Sequence, residues 1–427
     1  MSEQRLMLIS SDGHATARME DYRDYLDPEF RDEFEAFLGV HHEHGSYNYE
    51  PKAMELRLDR EVIDEWVHDV LDAGRTQGHW NPSARLAEME RHGICAEVLI
   101  PDFGLPFELL DPTLSHRLNL PRRTRAQTDA ANRAYNRWLA DFCSSAPERF
   151  AGMAMVSFWE VDSACEGLRR AKESGLSGVM LPMFDEDDPL FGPRFDPVWD
   201  AIEELDMPVT SHISISGTST RVWHVDVPHP ACFGPIYRGP AEFFCRQVLD
   251  HMIWGGVFER HPRLKVAFTE QGSGWLPGKL AAMDHSYENS FMRRDIREVV
   301  KQKPSQYFTQ NCWVGASLLS RTEVLARHEI GVDKMMVGAD YPHHEGTWRI
   351  SNIDYLQATF GGTGIPVAEA RKLLGENAVA MYGFDRGQLR AVVDRVGPLP
   401  QDVLAEAPDN DKFPRGDVHK PLTGSLV

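Results

Sequence analysis

The sequence predicts an α/β chain folded as a parallel (β/α)8 barrel. Three observations carry that expectation. Eight short apolar runs of strand length recur along the chain, helical patterns stand between most of them, and four of the runs end on imidazole or carboxylate side chains. One stretch organises the rest. In Lys334–Trp348, a buried-strand pattern (Met335–Ala339) meets Asp340, and a turn then packs Tyr341, Pro342, His343, His344 and Glu345 together.

In chain order, Leu6–Ser10 is the first apolar run and leads into Ser11-Asp12-Gly13-His14. Asp12 and His14 are two apart, so an extended backbone points both to one face. Residues 17–77 are charged and irregular and read as an insertion over the barrel mouth, helical at first and with 41–50 as a loop. The histidines of that loop (His41, His42, His44) are expected to be solvated. Gly78-His79-Trp80-Asn81-Pro82 opens a helix over 83–93, whose Leu86 and Met89 are spaced for one buried face.

The pattern then becomes regular. Strand 95–100 precedes a helix around 123–145; strand 150–156 precedes helix 161–175; strand 178–182 precedes helix 195–206. Strand 208–214 leads through a long loop to helix 241–262, strand 264–270 to helix 274–290, and strand 307–314 to a helix near 316–329. Residues 367–384 read as a terminal helix pair. The barrel is expected to be one domain over 1–400, with 401–427 as an extended C-terminal tail.

At 427 residues, 42% hydrophobic and with 10 Trp, the chain has material for a large core. A formal charge of −20 argues against nucleic acid or an anionic membrane surface as partner. The six cysteines form no CxxC pair, so disulfide scaffolds and zinc ribbons are not expected. No basic leader precedes an apolar stretch, and no window approaches about 18 apolar residues. The expectation is a cytoplasmic enzyme-sized protein.

Asp12 and His14 end the first run, His212 lies in the fifth, Glu270 ends the sixth and Asp340 the eighth. In a barrel all four ends open on the same C-terminal mouth. Imidazoles mixed with carboxylates suit Zn, Mn, Fe or Co better than Mg or Ca. His343 joins the candidates because Pro342 stiffens the turn before it. Glu345 is placed to fix the loop or orient an imidazole. His79, Arg221 and His224 are the candidates for binding a small carboxylate-type substrate.

The candidate ligands and His79 sit in segments that resemble the amidohydrolase-related family, in particular its aminocarboxymuconate-semialdehyde-decarboxylase-like enzymes. The carriers are SSDGHA, GHWNPSARLAEMERHGICAEVLIP, AYNRWLADFCSSAPERFAGMAMV, FDPVWDAIEELDMPVTSHIS, GVFERHPRLKVAFTEQGSGWLP, GADYPHHEGTW and KLLGENAVAMYGFD. The resemblance implies a distorted barrel of the metal-dependent hydrolase type, with Asp12, His14, His212 and Asp340 as metal ligands. It also implies a dimer or larger assembly, with itself or with a related subunit. Where decarboxylase and hydrolase members carry a sixth-strand histidine, this chain reads Glu270-Gln271-Gly272. With the DYPHHEG loop, that departure resembles a branch of non-heme dinuclear iron monooxygenases.

The leading expectation is therefore an O2-dependent hydroxylase with two Fe, or Fe/Mn, held by Asp12, His14, His212, Glu270, Asp340 and His343. Asp340, Glu270 and His343 would be its catalytic groups. The alternative is a metal-dependent hydrolase or non-oxidative decarboxylase of a small carboxylic acid, with Zn as the alternative ion and Asp340 as base. A third reading is a non-catalytic partner subunit.

Overall fold

In the computed structural model, residues 4–406 are described, apart from 46, 48, 56–57, 103, 109–122, 185–186, 214, 219–231, 290–292, 318 and 350. Eight parallel strands form one sheet in chain order: β1 (Ile9–His14), β2 (Ala96–Ile100), β3 (Phe150–Ala154), β4 (Gly178–Met180), β5 (Val209–His212), β6 (Val266–Thr269), β7 (Cys312–Ser317) and β8 (Met335–Gly338). The sheet nearly closes on itself. Just past β8, the Asp340 N–H donates to Asp12 O (3.0 Å) and the His14 N–H to Tyr341 O (2.6 Å). A two-stranded parallel pair, Met183–Phe184 with Gly217–Thr218, lies apart from the barrel.

Helices return the chain between strands, for example Pro82–Arg91, Arg125–Ser144, Val161–Glu173, Asp196–Glu204 and Phe233–Trp254. Local sequence explains several of their starts. The Asn81 side chain accepts from the Ser83 and Ala84 N–H groups with Pro82 at the first helical position, and Thr124 with Gln127 forms a reciprocal cap. Met89, Tyr135, Leu139, Leu168, Val198 and Leu249 carry the buried stripes of these helices into the main core.

Four sequence expectations are corrected. The first strand begins at Ile9 rather than Leu6, and it runs through Asp12 to His14. Residues 307–311, the first part of the strand read over 307–314, belong to a helix, Pro304–Asn311, and β7 begins only at Cys312. Pro304 sits at the first helical position, and Tyr307, Phe308 and Asn311 bury one helical face, a period the aromatic content had masked. His41, His42 and His44 lie in the last turn of helix Arg31–His44 instead of a loop. The helix read near 316–329 starts at Arg321, with Ser320 as cap.

The structure shows where residues 17–77 pack. Tyr49, Met54, Ile63, Trp66 and Val70 form a small core together with Tyr341 and Trp348 from the loop after β8. The six cysteines are all free. Among the described residues no helix is long and apolar enough to cross a membrane.

Candidate metal centre

The strand ends deliver their side chains to one buried place. Donor atoms of Asp12, His14, His212 and Glu270 lie within 4.8 Å of one another, and so do those of His14, Glu270, Asp340 and His343. His14 Nε2 is 3.3 Å from Asp340 Oδ1 and 3.8 Å from Asp12 Oδ1. His212 Nε2 is 3.6 Å from Asp12 Oδ1 and 3.0 Å from Glu270 Oε2. All six residues are buried.

Backbone conformation aims them. β1 carries a bulge between Ser10 and Gly13, and Gly13 leaves no Cβ where the Glu97 carboxylate and Arg85 guanidinium press close. Glu270 and Asp340 both adopt φ of 55° at the ends of β6 and β8. The left-handed region is uncommon for residues with a Cβ, and Glu gains less there than Asp. Holding each residue there costs about 1–3 kcal/mol, a cost that clusters at functional sites. The Tyr341–Pro342 peptide that follows is cis.

The hydrogen bonding tests whether a cation fits. His14 Nδ1 bonds Pro101 O (2.9 Å) and His212 Nδ1 bonds Ile213 O (2.6 Å). A carbonyl only accepts, so each Nδ1 carries hydrogen, and each ring in its neutral, metal-binding form turns an Nε2 lone pair inward. Those two Nε2 atoms, Asp12 Oδ1 and both Asp340 carboxylate oxygens are buried without a hydrogen-bond partner among the described residues. Lone pairs facing carboxylate oxygens with nothing between them repel, and a buried polar atom without a partner costs about 1–3 kcal/mol. A divalent cation would satisfy lone pairs of this kind, and the N/O set suits a transition ion. The donor set fits a divalent metal.

The same field acts on protons. Burial disfavours a charged His212, yet the Asp12 and Glu270 carboxylates push it up to about 10. His343 is likewise held well above the ordinary imidazole range, the Asp340 and Asp102 carboxylates outweighing burial. Burial and the nearby Asp340 carboxylate raise Glu270. Asp340 itself is lowered, because His343 and His14 overcome its desolvation. A metal ion replaces this positive charge when it binds.

The structure thus brings together Asp12, His14, His212, Glu270, Asp340 and His343. His79 lies beside Asp102, its Nδ1 3.1 Å from Tyr47 Oη and its Nε2 3.3 Å from Asp102 Oδ2. Arg221 and His224 fall outside the described residues. Glu345 pairs with His344 (2.6 Å), so it steadies that imidazole. Sequence reasoning passed over Asp102, two residues beyond β2, and Tyr49, which packs with Trp66. Ser317 at the end of β7 was missed too; its hydroxyl donates to Asp12 Oδ2. Position past a strand end was the one signal available for Asp102 and Ser317.

A parallel eight-stranded barrel with buried imidazoles and carboxylates converging at its C-terminal mouth defines a metal-binding barrel of enzyme type. The chain belongs to the amidohydrolase family, which it matches over residues 13–384. It is 29% identical over 283 residues to gamma-resorcylate decarboxylase of Rhodococcus jostii, covering 62% of this chain and 80% of that one. The fold matches 5-carboxyvanillate decarboxylase from Sphingomonas paucimobilis with a TM-score of 0.58 at 18% identity, over 89% of this chain and 100% of that one. It also matches a dihydroxybenzoic acid decarboxylase from Polaromonas, solved with manganese and the inhibitor 2-nitroresorcinol (TM-score 0.53, 19% identity, 90% and 99% covered).

These relatives overturn the oxygenase expectation. They are decarboxylases, and neither iron nor O2 chemistry finds support among them. The misreading has a physical cause: an N/O ligand set attracts several divalent ions and does not encode whether the bound ion changes oxidation state.

Proposed function

We propose that this protein is a divalent-metal-dependent, non-oxidative decarboxylase of a small aromatic carboxylic acid, with manganese as the working ion. The observation that carries the reading is the buried set of unpartnered donor atoms in a chain whose sequence relative is gamma-resorcylate decarboxylase. Asp12, His14, His212 and Asp340 would hold the ion, with Glu270 and His343 on its flank. Such an ion supplies positive charge that orients the substrate carboxylate and stabilises negative charge developing beside it.

The chain's own groups do the rest. The reaction exchanges a ring C–CO2− bond for C–H. The electron pair of the broken bond stays on the ring carbon, which takes up a proton as CO2 leaves. Glu270 is the group we assign to deliver that proton, since its carboxyl is buried at the same mouth as the donor set with Oε2 3.0 Å from His212 Nε2. Solvent restores the proton afterwards. His79 is assigned to the substrate side, and residues 17–77 are assigned to cover the mouth, which keeps the reacting carbon from water.

The test is anaerobic incubation of manganese-loaded protein with gamma-resorcylate, following resorcinol and CO2. Stoichiometric release of both is the expected result. Absence of turnover on gamma-resorcylate, 5-carboxyvanillate and 2-amino-3-carboxymuconate-6-semialdehyde would remove the decarboxylase reading.

A further inference from the structure

Asp102 is used by no step above, yet its side chain is 1% exposed at the rim that carries the centre. Its two carboxylate oxygens face different parts of the chain. Oδ2 accepts a hydrogen bond from the Tyr49 hydroxyl (2.6 Å) and lies 3.3 Å from His79 Nε2. Oδ1 faces His343 Nε2 at 3.7 Å. On its other edge, His343 Nδ1 is 3.2 Å from Asp340 Oδ1. The His343 ring also lies flat on the His14 ring, with centroids 4.1 Å apart and planes 5° from parallel.

The stack on His14 sets the plane of His343, and a carboxylate faces each of its two ring nitrogens, Asp340 at 3.2 Å and Asp102 at 3.7 Å, so the charges at its two edges favour one rotation within that plane. Asp340 is one of the donors of the centre, so the free choice left to evolution at the far edge is Asp102. Asp102 is in turn held from the insertion: Tyr49 reaches it through its hydroxyl, and the Trp66 indole N–H fixes Tyr49 by its carbonyl (2.9 Å).

The Tyr49 ring also borders the His343 ring (centroids 5.6 Å apart), a contact that Tyr49→Phe keeps. We infer that Asp102 is a positioning residue that sets the orientation of His343 against the centre, and that the Tyr49 hydroxyl acts on the reaction through Asp102. Docking of residues 17–77 and alignment of the His343 ring are then one event. The inference rests on the proposed reaction only where turnover is measured, and its test reads the centre as well.

The experiment compares wild type, Asp102→Asn, Tyr49→Phe and the double variant, each loaded with cobalt(II) for its visible spectrum and with manganese for kinetics on gamma-resorcylate. Asp102→Asn keeps the shape of the side chain and removes its charge. The expected result is one bound metal per chain throughout and a cobalt spectrum shifted in both single variants. In the kinetics, kcat falls about 10–100-fold in Asp102→Asn with KM little changed, the range found when partners behind metal-site groups are removed. The double variant should match Asp102→Asn alone, since residues acting through one another do not add. Unshifted cobalt spectra with wild-type kcat in Asp102→Asn would overturn the inference, as would losses that multiply in the double variant. Shifted spectra in a protein inactive on gamma-resorcylate would uphold the positioning role and count against the proposed substrate instead.

Discussion

Gly13 is the position where a single methyl group tests the architecture of the centre most sharply. It lies between the donors Asp12 and His14, and its restriction is one of space. A Cβ there would stand 2.3 Å from Glu97 Oε1 and 2.6 Å from Arg85 Nη2. Those atoms belong to a fully buried ion pair in which Arg85 Nε donates to Glu97 Oε2 at 2.6 Å. Arg85 also donates to the His14 carbonyl (2.9 Å) and lies 4.0 Å over the Tyr341 ring, so it braces both sides of the sheet seam. Gly13→Ala must push the pair apart or push β1 outward. Breaking a buried pair costs about 3–5 kcal/mol. With an unfolding entropy of about 2.1 cal/mol/K per residue over 427 residues, that loss lowers Tm by about 3–6 °C. The assay is thermal denaturation of metal-free protein, paired with manganese content after reloading. A Tm within about 1 °C of wild type together with full metal content would refute the reasoning.

Asp340→Asn removes charge from the donor set, and elemental analysis should find metal affinity at least about tenfold lower with the barrel still folded. Chelation of the wild type should lower its thermal stability, because an ion present at a hundredfold excess over its Kd contributes about 2.7 kcal/mol; a melting curve unmoved by chelator and by added manganese would speak against the centre. Glu270→Gln keeps shape but cannot release a proton, so kcat on gamma-resorcylate should fall about 100-fold or more while bound metal is retained. Trp66→Ala empties a fully buried site in the small core shared with Tyr341 and Trp348. It should cost about 3–5 kcal/mol by denaturant titration, and KM should rise if residues 17–77 cover the substrate.

Much of the centre was legible because apolar strands end abruptly on groups that cannot stay buried unaided. Asp12, His14, His212, Glu270 and Asp340 each follow or end such a run, and a barrel brings those ends together whatever the loops do. Asp102 follows β2 in the same way, but no motif surrounds it, and its partner Tyr49 is more than fifty residues upstream. Sequence spacing carries no information about that contact until the insertion folds. The error at 307–314 arose because an aromatic-rich segment satisfies strand and helix patterns equally over a few residues, and Pro304 was the cue that decides. The reaction was misread for another reason. Ligand identity reports which ions can bind, whereas the chemistry depends on what stands beside them, and the presence of Glu270 alone does not separate the choices.

The shared core beneath the mouth bears on how this scaffold could be redesigned. Tyr341 and Trp348 belong by sequence to the loop that supplies Asp340 and His343, yet their packing partners are Tyr49, Met54, Ile63, Trp66 and Val70. The two segments therefore depend on each other for burial of that core. A graft that exchanges the upstream segment alone would strand two large aromatic rings in water beside the donor residues. Altering what enters the mouth while preserving the centre calls for moving both pieces together, or for confining changes to side chains that face away from that common core.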